Sequence, residues 1–298
     1  MSNPKPVPTC PDCGGERIER VGALPDVAYF SGRPLGAPLP GGSLMHCQTC
    51  DLRFRWPQLP DYDRLYDNAA VDAWEIGPLR KDQRLVQAAL ATRPHARSLL
   101  DFGCYSGGFL AGVPPHFARY GVEVASAAAA VAARESGATV RPSLEQFPAE
   151  LKFDVIVSMD VIEHVRSPRA LLAAWLERLA PGGLLVITTG DGAHPLWRLV
   201  GARWWYCYYP EHIAFISTRW LHCHAAALGA RIEGIESFNY LDDPAANAGD
   251  RWTAWLKYLL RPAHHARKRA RVMREQGRDA GVPGMGLARD HLLVLLAK

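Results

Sequence analysis

Residues 99–110 read LLDFGCYSGGFL. An apolar run ends in Asp101, and three glycines, Gly103, Gly107 and Gly108, fall within the six positions 103–108. The run is a buried strand, GCYSGG is the turn after it, and GGFLAGV opens a short helix. In an open α/β sheet, ligands bind beyond the carboxyl ends of the strands. Glycines there remove side chains where a ligand would pass closest to the backbone. The helix start offers unpaired N–H groups to an anionic group such as a carboxylate, and Asp101 sets its own carboxylate beside them. A tight strand-to-helix turn packed for its own sake needs the same glycines, so both readings stand on this stretch alone. The spacing D-x-G-x-x-x-G departs from the G-x-G-x-x-G of dinucleotide sites. A second acid, Glu123, ends the next strand about twenty residues on, the place and distance at which a carboxylate accepts hydrogen bonds from a ribose diol.

Outward from this turn, strand-like and helix-like runs alternate. The helices are GPLRKDQRLVQAALATR opened by Pro78, SAAAAVAARESG, SPRALLAAWLERLAPGG capped by Ser167 with a glycine stop, and STRWLHCHAAALGA capped by Ser217 or Thr218. The strands are RSLLDF, YGVEVA, FDVIVSMD, LLVITTG, RIEGIESFNY and HLLVLLA. Alternation of this kind implies a parallel sheet covered on both faces. The 298 residues allow one large core plus a small module, and a net charge of +4 is too small to imply nucleic acid. No apolar run reaches bilayer length, and prolines stand where a secretion signal needs an apolar core. A cytoplasmic protein with reduced thiols is the expectation.

Four segments in order, LLDFGCYSGGFL, GVEVASAAAAVA, FDVIVSMDVIEHV and LAPGGLLVITTG, resemble the motifs of class I S-adenosylmethionine-dependent methyltransferases. The resemblance covers about residue 78 to the C-terminus. It implies a Rossmann-like, doubly wound seven-stranded α/β sheet whose last strand is antiparallel. It also implies that Asp101, Gly103 and Gly107 lie around the methionine part of the cofactor, with Cys104 in the same turn counted among the cofactor-binding residues. Glu123 then holds the ribose hydroxyls, Ser143 and Leu144 in RPSLEQF lie beside the adenine, and Met159 and Asp160 close the site. Tyr105 departs from the family, which often has glycine there.

Cys10, Cys13, Cys47 and Cys50 form two C-x-x-C pairs, CPDCGG and CQTCDL. Four thiolates match a closed, tetrahedral and therefore structural zinc site. The glycine- and proline-rich segment between the pairs has little periodicity and builds little core alone, which is what a metal compensates. The expected organisation is a small zinc ribbon over 1–60, a helical connector or cap over 61–95, and a cofactor-binding domain over 96–298 with a basic helical insertion at about 241–286. Within that insertion, WTAWLKYLLRPAHHARKRARVMR (252–274) joins an apolar face to a basic run. It reads as helices packed on the domain edge or as a peripheral contact with an anionic surface.

A ribbon before such a domain raises two functions: guidance onto RNA, or resemblance to the sugar methyltransferases of deoxysugar and polysaccharide biosynthesis, which carry an N-terminal four-cysteine zinc module over the substrate site. The fourth-strand motif MDVIEHV is not the N-P-P-Y type. The ribbon offers only Arg53, Phe54, Arg55 and Trp56 to a nucleic acid. The stretch WWYCYYPEHIAFIS (204–217) resembles the P-E-H segment of the sugar enzymes. The saccharide acceptor is therefore the leading reading, the RNA acceptor the alternative, and nucleic acid is not the expected partner. In the sugar C-methyltransferases the Glu–His pair abstracts a proton; carried over, His212 is the base and Glu211 its partner or substrate anchor. The competing reading is a loop-fixing hydrogen bond. His164 in VIEHV is the second candidate, and Glu163 reads as a helix-terminus or backbone contact. Trp204, Trp205, Tyr206, Tyr208 and Tyr209 either stack on a ring of the acceptor or anchor the loop in the core.

Overall fold

LLDF and its neighbours form the centre of one sheet in the computed structural model, which describes residues 8–30, 33–59, 62, 65, 79–239, 253, 256, 257, 260, 261, 264 and 289–298. The N-terminal strands are β1 (Ile18–Ala23), β2 (Val27–Phe30), β3 (Arg33–Leu39), β4 (Ser43–Cys47) and β5 (Arg53–Trp56). After helix α1 (Lys81–Leu90) come β6 (Ser98–Phe102), α2 (Gly108–Ala111), β7 (Ala118–Val122), α3 (Ser126–Ser136), β8 (Thr139–Arg141), β9 (Phe153–Met159), α4 (Pro168–Arg178) and β10 (Leu179–Gly190). The chain then forms α5 (Pro195–Val200), β11 (Ala214–Phe215), α6 (Thr218–His224), β12 (Arg231–Phe238) and β13 (His291–Ala297).

Seven strands make the large sheet in the order β12-β13-β10-β9-β6-β7-β8. The run from β10 to β8 is parallel, and β13 lies antiparallel to β10 and β12. The chain leaves β6 for β7 on one side and returns to β9 on the other. The switch point therefore falls between β6 and β9, where ligands bind in such sheets. Period-2 alternation divides the central strands between two cores. Leu100, Ile156, Leu185 and Ile187 pack on Leu172 and Trp175 of α4 and Trp220 of α6. Leu99, Val155, Val157 and Val186 pack on Val86 and Leu90 of α1 and Ala132 of α3. Each fully buried side chain of this size contributes about 1.5–3 kcal/mol.

The Ser167 hydroxyl accepts from Ala170 N at 3.2 Å with Pro168 at the first helical position, and the Ser217 hydroxyl accepts from Trp220 N at 3.1 Å. Two local expectations differ. LAPGG does not end a helix; it is the entry of β10, which pairs with β9 at Leu179 and again from Leu184. The proline-rich linker between the cysteine pairs is not devoid of structure. It carries the β2–β3 hairpin, whose Val27 and Phe30 bury against Tyr62 and Ile213.

A second sheet, β1-β4-β5-β11, joins the N-terminal module to the rest. Its fourth strand comes from beyond residue 200, and Met45, Cys47, Leu52 and Phe54 share the first core with Trp220 and Leu221. The basic insertion at 241–286 and residues 66–78 of the 61–95 connector, Pro78 included, lie outside the described residues, apart from scattered positions of the insertion such as Leu256 and Leu260, both exposed. No helix among the described residues is long and apolar enough to cross a membrane.

Candidate active site

The glycine turn bears out the packing reading and leaves the backbone at the strand ends for a ligand to approach. Gly103 has φ +83° and Gly107 φ +80°, values that L side chains rarely adopt. A Cβ on Gly103 would lie 2.4 Å from Val161 Cγ2, and one on Gly107 2.8 Å from Ala132 Cα. Packing and backbone geometry therefore require both glycines. Gly108, in contrast, faces open space. The Cys104 side chain turns inward: its Sγ would meet a Cβ on Gly121 at 2.7 Å, so only its backbone remains at the turn. Glu123 follows β7 and accepts from Tyr105 N at 2.9 Å and Ala125 N at 2.8 Å. It fixes the turn, and a carboxylate with about four lone-pair directions still has capacity for hydroxyl donors. Burial pushes its pKa upward against those two amides.

Asp101, next to last in β6, is almost wholly buried, and its Oδ1 has no hydrogen-bond partner among the described residues. Burial, relieved by Arg80 and reinforced by Glu123 and Asp82, holds its carboxyl up to about 7. An orphaned carboxylate oxygen beside a glycine turn fits a cationic group such as the ammonium of S-adenosylmethionine. Ser143 and Leu144 follow β8 on the same side of the sheet; Leu144 is buried and its carbonyl accepts from Arg178 at 2.8 Å.

Met159 and Asp160 close β9. Asp160 takes a positive φ of 54° and receives Arg80 Nη2 at 3.2 Å, the same nitrogen that meets Asp82 at 2.5 Å. Burial raises Asp160 to about 6 while Arg80 opposes the shift. Three residues on, Glu163 is buried and accepts from Thr189 Oγ1 at 2.9 Å and from the Tyr206 hydroxyl. Glu163 makes the expected backbone contact, its carbonyl accepting from Ile213 N at 2.9 Å, and its carboxylate adds the bonds to Thr189 and Tyr206. Its carboxylate and ring nitrogens of His164 and His212 lie within 4.8 Å of one another.

The two histidines meet with centroids 4.9 Å apart. His164 is held by the backbone at Glu211 and Asp160; burial lowers its pKa, with Glu211 and Asp160 opposing. The His212 Nδ1 lies 2.9 Å from the Tyr206 carbonyl. A carbonyl only accepts, so Nδ1 carries the hydrogen and the neutral ring has its lone pair on Nε2. The Glu211 carbonyl receives the Tyr62 hydroxyl, which also reaches the His164 carbonyl at 3.0 Å. Trp204, Trp205 and Tyr206 are buried, so these three anchor the loop in the core; the Tyr206 ring lies tilted against the His212 ring, centroids 4.1 Å apart.

Three participants were not singled out from sequence. Arg80 and Tyr62 lie in stretches without a motif. His291, buried and 3.0 Å from Asp290 Oδ1, opens the last strand. Asp290 in turn accepts from Trp205 Nε1 at 2.9 Å. A polar residue heading the apolar HLLVLLA was the available signal, since an antiparallel last strand starts at the ligand edge.

The four cysteines converge. Cys10–Cys50 and Cys13–Cys47 are each 3.6 Å apart between sulfurs, and all four sulfurs lie within 4.8 Å of one another. A tetrahedron with metal–sulfur bonds of about 2.3 Å has edges of about 3.8 Å, so the donor set fits a single tetrahedral ion.

A family described as a methyltransferase domain matches residues 74–233. The chain belongs to this methyltransferase family. Its sheet, with the last strand antiparallel, is the class I S-adenosylmethionine-dependent fold. The methyltransferase is 38% identical over 120 residues to a ubiquinone biosynthesis O-methyltransferase of Cereibacter sphaeroides (strain ATCC 17029 / ATH 2.4.9), covering 36% of this chain and 47% of the relative. It is 41% identical over 103 residues to the protein of the same name from Roseobacter denitrificans, covering 30% and 40%. The chain thus spans about half the length, or less, of the curated relatives it matches. Among solved structures, a chain of the complex between the Haloferax volcanii Trm112 methyltransferase activator and a methyltransferase superposes with a TM-score of 0.50 at 13% identity, over 74% of this chain and 99% of that one. That likeness concerns the fold alone.

Proposed function

We propose that this methyltransferase moves the methyl group of S-adenosylmethionine to a hydroxyl of a small molecule, with a saccharide as the leading acceptor and a zinc ion held by Cys10, Cys13, Cys47 and Cys50. The observation that carries the proposal is the 2.9 Å contact of His212 Nδ1 with the Tyr206 carbonyl, which commits Nδ1–H to that oxygen. The ring's Nε2 is thereby a proton acceptor for an acceptor hydroxyl, the task a general base performs near neutral pH. When bound, S-adenosylmethionine supplies an electrophilic sulfonium methyl. Glu123 would hold its ribose hydroxyls and Asp101 its ammonium, while Arg80 would face its carboxylate. Ser143 and Leu144 would flank the adenine and Met159 and Asp160 the sulfur side. Glu211 would anchor the acceptor, and His164 would keep the two loops at their spacing.

Two observations favour a small acceptor over RNA. Arg53, Phe54 and Arg55 are buried, so three of the four residues offered to a nucleic acid face inward. The relatives matched over a third of the chain are named O-methyltransferases of ubiquinone biosynthesis, which supports an oxygen nucleophile and makes a ubiquinone precursor the second acceptor to try. The full chain, incubated with methyl-labelled S-adenosylmethionine and separate pools of nucleotide-linked sugars, hydroxylated quinone precursors and transfer RNA, should label the sugar pool. Label in the quinone pool alone would replace the saccharide, and label in RNA alone would end the small-molecule reading.

A further inference from the structure

The cysteine quartet reaches the acceptor loop through named contacts. Asp12 sits between Cys10 and Cys13. Its Oδ1 accepts from Ser167 Oγ at 2.9 Å and Arg169 N at 3.2 Å, where α4 begins, and its Oδ2 accepts from Trp220 Nε1 at 2.8 Å on α6. Asp51 follows Cys50. Its Oδ2 accepts from Ser217 Oγ at 2.6 Å, and its Oδ1 lies 2.7 Å from His46 Nε2. Ser217 is the cap of α6, so the knuckle carboxylate orients the cap and the cap orients the helix. Arg219 of α6 adds a bond to the Gln48 carbonyl at 3.3 Å, in the turn between Cys47 and Cys50.

Between these two anchored helices runs the segment that carries Glu211 and His212. It is fixed from the module's side as well. Arg55 N donates to Ile213 O at 2.9 Å, and β11 pairs with β5 through Ala214↔Phe54 and Phe215↔Arg53. The buried Arg55 guanidinium donates to Gly41 O at 2.8 Å within the module and to Cys207 O at 3.3 Å in the aromatic loop, tying that loop to the module. His212 is one residue from the first of these bonds.

We infer that the four-cysteine knuckles are positioning elements of the acceptor site. Asp12 and Asp51 transmit the closed geometry of the cysteine quartet to the start of α6, and through β11 to His212. The cofactor turn lies at the ends of β6 and β7, away from these contacts. Opening the quartet therefore releases the acceptor loop and leaves the cofactor site in place. The metal-dependent half of this inference rests on the zinc reading above; the aspartate contacts do not.

Hydrogen exchange read by mass spectrometry on the full chain tests it. With the metal removed by a chelator under reducing conditions, amides of 204–217 should exchange at least about tenfold faster, while those of 98–123 change by less than about twofold. S-adenosylhomocysteine affinity, measured by calorimetry, should hold within the same factor. Asp12→Asn keeps size and cysteines but presents an NH2 to donors that Asp12 accepts. It should retain one zinc per chain by elemental analysis and still loosen 204–217. The imidazole resonance of His212, assigned by its loss in His212→Ala, should move in both samples. Unchanged exchange in 204–217 after stripping and in Asp12→Asn overturns the inference. So does loosening of both regions with loss of cofactor affinity, which is global unfolding. Reduced protein without any metal overturns the zinc reading and the metal-dependent half with it; Asp12→Asn then decides the rest.

Discussion

Asp101 is one of the buried carboxyls that set the pH response of the cofactor site. Asp101 stands at about 7 in the folded chain because burial disfavours its charge, against about 3.9 when unfolded. The folded state thus binds this proton more tightly. The resulting stabilisation is complete below about pH 4 and is lost as pH rises through 7. Asp101→Asn removes the titration. Cofactor-free variant and parent should melt alike, apart from a constant offset, near pH 4, and the variant should gain relative to the parent up to pH 8, by about 4 kcal/mol at the ceiling. Thermal melts across that range decide it, and a flat difference would contradict the assignment. The two histidines separate by a different measurement. His212→Ala should cost about a hundredfold or more in turnover while S-adenosylhomocysteine binding stays as it was. His164→Ala should cost less in turnover and more in melting temperature, because its ring ties the backbone at Asp160 to that at Glu211. The reverse ranking would hand the proton to His164.

At the level of elements, the turn between β6 and α2 is the least replaceable. Gly107→Ala forces a left-handed residue to carry a Cβ 2.8 Å from the backbone of α3, so α2 or α3 must shift. A loss of several kcal/mol in denaturant unfolding is expected, with weaker cofactor binding; full stability would mean the turn relaxes freely. The glycine pair, the capping serines and β13 were all readable in the sequence, because residue type and local pattern mark each of them whatever it packs against. Glu123 was readable for the same reason, being a set distance from the turn. β11 was not: two residues carry no periodicity, and its partner β5 lies far off in the chain. Nor could the inward set of Trp204, Trp205 and Tyr206 be told from a stacking surface, since aromatic residues serve both and only the surrounding core separates them. LAPGG misled because its glycines imitate a helix stop where β10 merely enters the sheet irregularly.

Over the whole molecule, the N-terminal module and the methyltransferase domain share one core, although the composition shift near residue 60 reads as a boundary. Cys10, Cys47, Cys50 and Phe54 pack in the same cluster as Trp175 and Trp220. A chain beginning at residue 61 should therefore lack a cooperative thermal transition, its uncovered apolar face promoting aggregation; a sharp melt with S-adenosylhomocysteine bound would show the domain to be self-sufficient. The β5–β11 pairing also has a consequence in time. Phe54 finds its partner only when Ala214, 160 positions later, has been made. At bacterial or eukaryotic elongation rates of roughly 5–20 residues per second, that is a wait on the order of ten to thirty seconds. Throughout it the nascent chain presents an open strand edge next to reduced thiols. Arg53 and Arg55 put two charges on that edge, and charge on an open strand edge disfavours pairing with another chain. The same guanidiniums are later sealed inside, so residues that guard the chain during synthesis become fastenings of the finished protein.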